Sequence, residues 1–237
     1  MRAVILAGGK GSRLRPYTTV FPKPLVPVGD QPILELVLRQ LRYSGFTHIT
    51  LALGHLGGLI QAYCGDGSKW GLKIDYSTED SPLGTAGPLA LANPPEEHFL
   101  TMNGDLLTTL DYGLLLREHM ASGRLATVTV FEKKVPIDLG VLEVDDAGNL
   151  TDYIEKPTLT YKVSTGIYAF HRRILDFIPK GERLDFPDLV RTLIAQKESL
   201  GTHRFTGQWL DIGRPEDHAL AMGALEKDPD AFLPKPR

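Results

Sequence analysis

The chain has 237 residues, enough for one large α/β domain or two small ones, and enough to bury a substantial core. Hydrophobic residues make up 42%, charged residues 23%, and the formal net charge is −3. Bulk electrostatics therefore mark neither a nucleic-acid nor a membrane surface, and any phosphate must be caught locally.

A single cysteine, Cys64, excludes an internal disulfide and fits a reducing, cytoplasmic setting. Arg2 followed by "AVILA" superficially resembles the start of a signal peptide, but five apolar residues ending in "GGKG" are too few for its hydrophobic segment. No apolar run approaches the ~20 residues of a membrane span, so a soluble chain is expected.

In chain order, "AVILA" (3–7) is an apolar run of strand length, and "PILELVLRQLRYSG" (32–45) places Ile33, Leu34, Val37, Leu38 and Leu41 at helical spacing before Gly45 stops it. "THITLALG" (47–54) is strand-like, "GGLIQAYCG" a short helix and "LKIDYSTE" (72–79) an alternating strand. "GTAGPLALAN" starts a helix, "HFLTMNGD" (98–105) is a buried strand and "YGLLLREHMAS" (112–122) a helix. Strands alternating with helices imply right-handed crossovers and a doubly wound, Rossmann-like α/β fold with a mostly parallel mixed sheet. After about residue 125 the texture becomes strand-rich: "LATVTVFE", "GVLEVDDAGNLTDYIEKP" with a hairpin turn at "DDAGN", and "KVSTGIYAF". "DFPDLVRTLIAQK" (185–197) reads as a helix, "RFTGQWLDIG" as one or two strands, and "RPEDHALAMGALEKD" as a last helix with Pro215 in its first turn. The expected organisation is one domain over 1–228 with a strand-rich second half from about 126, followed by a loose tail at 229–237.

The most informative stretch is "AVILAGGKGSRLRP". Glycines after a strand let backbone N–H groups approach an anion, and cations beside them suit a phosphate. The Walker spacing is absent, and the dinucleotide fingerprint fails because Leu14 stands where its third glycine belongs. On its own the loop fits a phosphate cradle or a plain chain-reversing turn equally well.

Its continuation, "LAGGKGSRLRPYT" followed by "FPKPLVPVGDQPIL", resembles the N-terminal signature of the sugar-1-phosphate nucleotidyltransferases, with Tyr17 where that family usually has Leu. "EDSPLGTAGPLALA", "NGD", "GVLEVDDAGNLTDYIEKP", "STGIYAF" and "WLDIGRPEDHALA" are similar to its later motifs in the same order, so the resemblance covers almost the whole chain. It implies a nucleotide half to about residue 125 and a sugar-phosphate half over 126–228, in an enzyme that condenses a nucleoside triphosphate with a sugar-1-phosphate and releases pyrophosphate. Two polyanions must meet, so positioning and charge neutralisation carry most of such a catalysis.

The resemblance assigns Arg13 and Lys23 to the triphosphate, the first as a bidentate fork and the second as a point charge between two prolines. It assigns Asp105 and Asp211 to Mg²⁺, which commonly takes one or two carboxylates alongside phosphate oxygens. Leu6, Ala7, Gly8, Gly9, Gly11, Ser12, Arg13, Gly84, Thr85 and Gly87 fall to the nucleotide, and Gly140, Glu155, Lys156 and Thr165 to the sugar phosphate. Leu139 and Ser164 depart from the family's usual Tyr and Asn on the sugar side. "PLGTAGPLALA" looks like guanylyltransferases acting on mannose- or manno-heptose-1-phosphate, where pyrimidine-using relatives carry Gln at the position of Gly87. The absence of that side chain is expected to leave room for a purine. The rival readings are a glucose-1-phosphate thymidylyl-, uridylyl- or cytidylyltransferase, a muramate- or choline-phosphate nucleotidyltransferase, and a non-catalytic regulatory relative. An NAD-dependent oxidoreductase is disfavoured by the missing third glycine. Relatives are often dimers or tetramers, which leaves a homo-oligomer open. The seven histidines show no ligand spacing along the chain; His48 and His98, which border strands, are expected to be structural, and neither His119 nor His55 suggests a base.

Overall fold

A computed structural model describes residues 1–233. The first half runs β1 (Arg2–Ala7), a small ladder of β2 (Pro27–Val28) and β3 (Gln31–Pro32), α1 (Ile33–Tyr43), β4 (His48–Leu53), α2 (Gly57–Cys64), β5 (Lys73–Thr78), α3 (Gly87–Ala92), β6 (His98–Asn103), β7 (Leu106–Thr108) and α4 (Tyr112–Ser122). The second half adds β8 (Ala126–Pro136), β9 (Val141–Val144), β10 (Leu150–Ile154), β11 (Thr158–His171), α5 (Phe186–Ala195), β12 (Leu200–Phe205), β13 (Trp209–Asp211), α6 (Pro215–Lys227) and α7 (Pro229–Phe232).

Seven strands form one sheet in the order β12-β8-β11-β6-β1-β4-β5. β1 runs parallel to β4 and β6, β4 to β5, and β8 to β12, whereas β11 runs antiparallel to both of its neighbours. The mostly parallel mixed sheet is thus present, with one reversed strand, β11, third from the β12 edge. Helices cover both faces, which is why β1 reads as a continuous apolar run: Ala3, Val4 and Ile5 are all inaccessible. Leu34, Val37, Leu38 and Leu41 of α1 pack on one face with residues of α2, α4 and α7. Leu89 of α3, Leu189 and Leu193 of α5 and an aromatic stack of Tyr168, Phe170 and Phe186 fill the other.

Local signals place the helix ends. Asp111 caps α4 by accepting the Leu114 N–H at 2.8 Å, and Gly123 (φ 64°) closes it in the left-handed conformation that glycine adopts without strain. The "DDAGN" hairpin forms as expected, with Asp145 Oδ1 accepting N–H groups from Ala147 and Asn149. Beyond the sheet, the outer parts of β8 and β11 and the β9–β10 hairpin make an arm whose side chains are mostly exposed.

One expectation is corrected. The segment from 229 is not loose up to 233: α7 buries Phe232 completely, and Gln40 Nε2 donates to the Phe232 carbonyl at 2.7 Å. A short run rich in proline and charge reads as a tail until Phe232, with Leu233 beside it, finds a core. Residues 234–237 lie outside the described residues.

Candidate active site

The carboxyl ends of β1, β4, β5 and β6 lie side by side, and the loops leaving them line a cleft of about 760 Å³. Ligands of doubly wound sheets sit at such strand ends. The sequence stretch 8–13 forms its floor. Gly8 lies where a Cβ would stand 2.9 Å from Glu79 Oε1 and 3.2 Å from the Gly54 nitrogen, so the loop passes as closely as glycine permits. Gly11 (φ 61°) turns the chain, and its carbonyl accepts both the Leu14 N–H at 2.9 Å and the Thr18 hydroxyl at 2.8 Å. Buried Leu14 anchors this turn in the core while Ser12 and Arg13 stay exposed to the cleft.

Four charged side chains converge at the β6 end. Asp105 follows Asn103 and Gly104 out of β6, and Lys23, from the turn after the glycine loop, makes an ion pair with it. β13 pairs with β7 so that Asp211 stands opposite Leu106, and the Ile212 N–H donates to the Asp105 carbonyl at 3.1 Å. Two aspartates more than a hundred residues apart are thereby held together. Partial desolvation and then the Asp105 carboxylate raise the pKa of Asp211, with Lys23 and Arg13 pulling the other way. Arg13 reaches the same place: a Cβ at Gly213 would sit 3.6 Å from its Nη2.

Of the expected nucleotide residues, Leu6, Ala7, Gly8, Gly9, Gly11, Ser12, Arg13, Gly84 and Thr85 line the cleft, and Gly87 does not. The room expected at Gly87 is filled by the chain itself, because a Cβ there would meet the Glu182 carbonyl at 2.8 Å and Leu83 Cβ at 3.0 Å. Its glycine serves the packing of α3 against 182–184. Glu79, by contrast, is a cleft residue that sequence reasoning left unassigned. Its Oε2 accepts the Leu83 N–H at 3.0 Å, and its Oε1 occupies the space left by the absent side chains of Gly8 and Gly54. Its position directly after a strand, next to glycines on neighbouring strands, was the available signal.

The expected sugar-phosphate residues are not gathered at this cleft. Glu155 and Lys156 are exposed on the arm, their charged atoms 4.0 Å apart, and Tyr153 donates to Glu155 Oε2 at 2.9 Å. Gly140 lies against the Tyr153 ring. Thr165 is buried in β11, its hydroxyl donating to the Thr129 carbonyl at 3.2 Å, while its own carbonyl accepts from Trp209 Nε1 at 3.0 Å. Leu139 is exposed, and Ser164 donates to the Tyr168 hydroxyl at 3.1 Å.

Comparison with known proteins places these features. The family model described as nucleotidyl transferase matches residues 2–228. A UTP–glucose-1-phosphate uridylyltransferase from Synechocystis sp. is 34% identical over 96% of this chain and 64% of its own length. The mannose-1-phosphate guanylyltransferase catalytic subunit beta of Drosophila melanogaster is 35% identical over 93% of this chain and 62% of its own. The chain thus spans less than two thirds of both relatives. A Bacillus anthracis crystal structure, described as a candidate glucose-1-phosphate thymidylyltransferase in complex with sucrose, superposes with a TM-score of 0.77, 25% identity and 94% coverage of each chain. The architecture is that of the nucleotide-diphospho-sugar transferase fold.

Proposed function

The chain belongs to the nucleotidyl transferase family, and from that premise we propose that its cleft joins a nucleoside triphosphate to a sugar-1-phosphate, giving a nucleotide sugar and pyrophosphate. The observation that carries this reading is the convergence of Arg13, Lys23, Asp105 and Asp211 beside a glycine loop. The attacking sugar phosphate is already ionised, so no activated hydroxyl or histidine base is required. The work is to hold two anions in line and neutralise them. Arg13 supplies a planar fork for two phosphate oxygens, Lys23 a point charge, and the loop backbone unpaired N–H groups.

Magnesium fits Asp105 and Asp211. Both offer hard oxygen donors at the cleft; partial desolvation and then the Asp105 carboxylate disfavour the charged form of Asp211, and a bound cation would offset both. Mg²⁺ held there would polarise the α-phosphate as a Lewis acid.

For the base, the reading favours GTP. The Glu79 carboxylate lies against Gly8 and Gly54 beyond the ends of β1 and β4, about one to two strand spacings (~5–10 Å) across the sheet from the acidic end of β6, to the side of the proposed phosphate positions. An ionised carboxylate only accepts hydrogen bonds, and guanine presents two adjacent donors, N1–H and N2–H₂. Thymine and uracil present one donor between two carbonyls, which repel a carboxylate. For the sugar, mannose- or manno-heptose-1-phosphate is proposed on the motif match, and Gly140, Glu155, Lys156 and Thr165 are assigned to it on that match alone. The similarity to a uridylyltransferase makes UTP with glucose-1-phosphate the second reading.

A matrix of nucleoside triphosphates against sugar-1-phosphates, with Mg²⁺ and a pyrophosphate readout, tests both. GTP with a manno-configured phosphate is expected to turn over fastest; absence of turnover with every pair would overturn the proposal. Asp105→Asn should remove activity while the far-ultraviolet spectrum stays unchanged, and retained turnover would show that Asp105 has been misassigned.

A further inference from the structure

At the ends of β6 and β11 remote from the cleft, two histidines meet across the sheet. His98 opens β6, His171 closes β11, and the antiparallel register pairs them directly. Paired residues on antiparallel strands project from the same face about 5 Å apart. Their ring centroids are 5.0 Å apart and the rings nearly perpendicular. Glu97 is tied to the same corner because its carbonyl accepts the Arg172 N–H at 2.7 Å. Its Oε1 lies 3.5 Å from His171 Nε2.

One ligand atom from each of Glu97, His98 and His171 can be chosen so that all lie within 4.8 Å of one another. Tetrahedral zinc, with bonds of about 2.0–2.2 Å, needs its ligand atoms ~3.4 Å apart. The Glu97–His171 pair already meets this spacing, and a small rotation of His98 closes the rest. His98 Nδ1 is buried without a hydrogen-bond partner among the described residues. His119, edge-on to His98 at 5.2 Å, walls the inner side, and the largely exposed Glu97 leaves the outer side to water. We propose that Glu97, His98 and His171 form a transition-metal site, with Zn²⁺ as its ion and a solvent molecule as the fourth ligand.

Two imidazoles and a carboxylate suit Zn²⁺ and its neighbours rather than Mg²⁺, which prefers oxygen throughout. His98 stands five residues from Asn103, ~17 Å along the strand, so the ion staples two strand ends and takes no part in the reaction. Binding leaves a signature. His171 Nδ1 accepts the Arg173 N–H at 3.1 Å, so the neutral ring carries its proton on Nε2. Ligation through Nε2 moves that proton to Nδ1, and the Arg173 amide loses its acceptor.

The test is calorimetric titration of the chelator-stripped full chain with Zn²⁺ in excess Mg²⁺, which occupies the aspartate pair. One equivalent should bind, Co²⁺ in its place should give the visible bands of a tetrahedral site, and the Arg173 amide resonance should shift. Glu97→Gln and His171→Gln should each weaken binding tenfold or more. Glu97 is on the surface, so its variant keeps the fold and decides the matter even if His171→Gln does not. No uptake at millimolar Zn²⁺, or undiminished uptake by Glu97→Gln, would overturn the site.

Discussion

Glu79→Gln separates the proposed base reading from every alternative. The Leu83 N–H, 3.0 Å from Glu79 Oε2, requires an acceptor there, so the glutamine oxygen takes that place and its NH₂ takes the place of Oε1 beside Gly8 and Gly54. A donor then faces the guanine N1–H and N2–H₂ donors where an anionic acceptor stood. Losing one hydrogen bond to a charged group costs about 1.5–3 kcal/mol, which is about ten- to 150-fold in kcat/KM for GTP. The same NH₂ can donate to a pyrimidine carbonyl, so UTP and dTTP should gain as GTP loses. The Leu83 bond survives, so the variant should melt with the parent. Steady-state pyrophosphate release with each triphosphate is the assay. A folded variant that keeps its GTP preference, with kcat/KM within twofold of the parent, would refute the assignment, as would a parent that does not prefer GTP.

Other changes probe packing at the cleft and elsewhere in the fold. Gly87→Ala should destabilise by about 1–3 kcal/mol through overlap with the Glu182 carbonyl and Leu83, leaving the GTP-to-UTP ratio unchanged; an altered ratio at unchanged stability would restore Gly87 as a base selector. Phe232→Ala should cost about 3–5 kcal/mol in urea unfolding, because the ring is wholly buried; a loss under 1 kcal/mol would mean that α7 is dispensable. His119 is buried beside His98 and His171, and desolvation, then those neighbours, hold its pKa down to about 4 against 6.5 unfolded. The unfolded state therefore takes up the proton first, so this contribution is complete above pH 6.5 and is lost by up to about 3 kcal/mol as pH falls to about 4. Urea midpoints against pH should show that slope, and His119→Gln should flatten it; an equal slope in the variant would contradict the burial argument.

What the sequence disclosed and what it withheld divide along the range of the interaction. Apolar β1, the periodicity of α1, the Asp111 cap and the glycine loop act within a few residues, and their chemistry can be read where it stands. β11 is different: its residues are as strand-forming as those of β6, and only the crossover before it decides that it runs the other way. That reversal brings His171 against His98, a pair 73 positions apart that no spacing rule applied to consecutive residues can detect.

The two aspartates became legible only through a motif match, since what joins them physically is the β7–β13 pairing. Glu79 and Gly87 show the converse limit. Both lie in one recognisable stretch, and a glycine in place of a usual glutamine invites a functional account of the missing side chain. Yet an absent side chain opens space only if nothing else fills it, and here the Glu182 carbonyl does. The polar group facing the cleft is five residues before Gly84, at the end of β5, where a lone glutamate looks like any solvated strand terminus until Gly8 and Gly54 arrive beside it from neighbouring strands. The proposed base reading therefore rests on the juxtaposition of three strand ends, and Gly54→Ala, whose Cβ would stand 2.8 Å from Glu79 Oε1 and 2.9 Å from the Gly8 carbonyl, should displace the Glu79 carboxylate and lower GTP turnover with Glu79 itself intact; undiminished kcat/KM for GTP in the folded variant would contradict it.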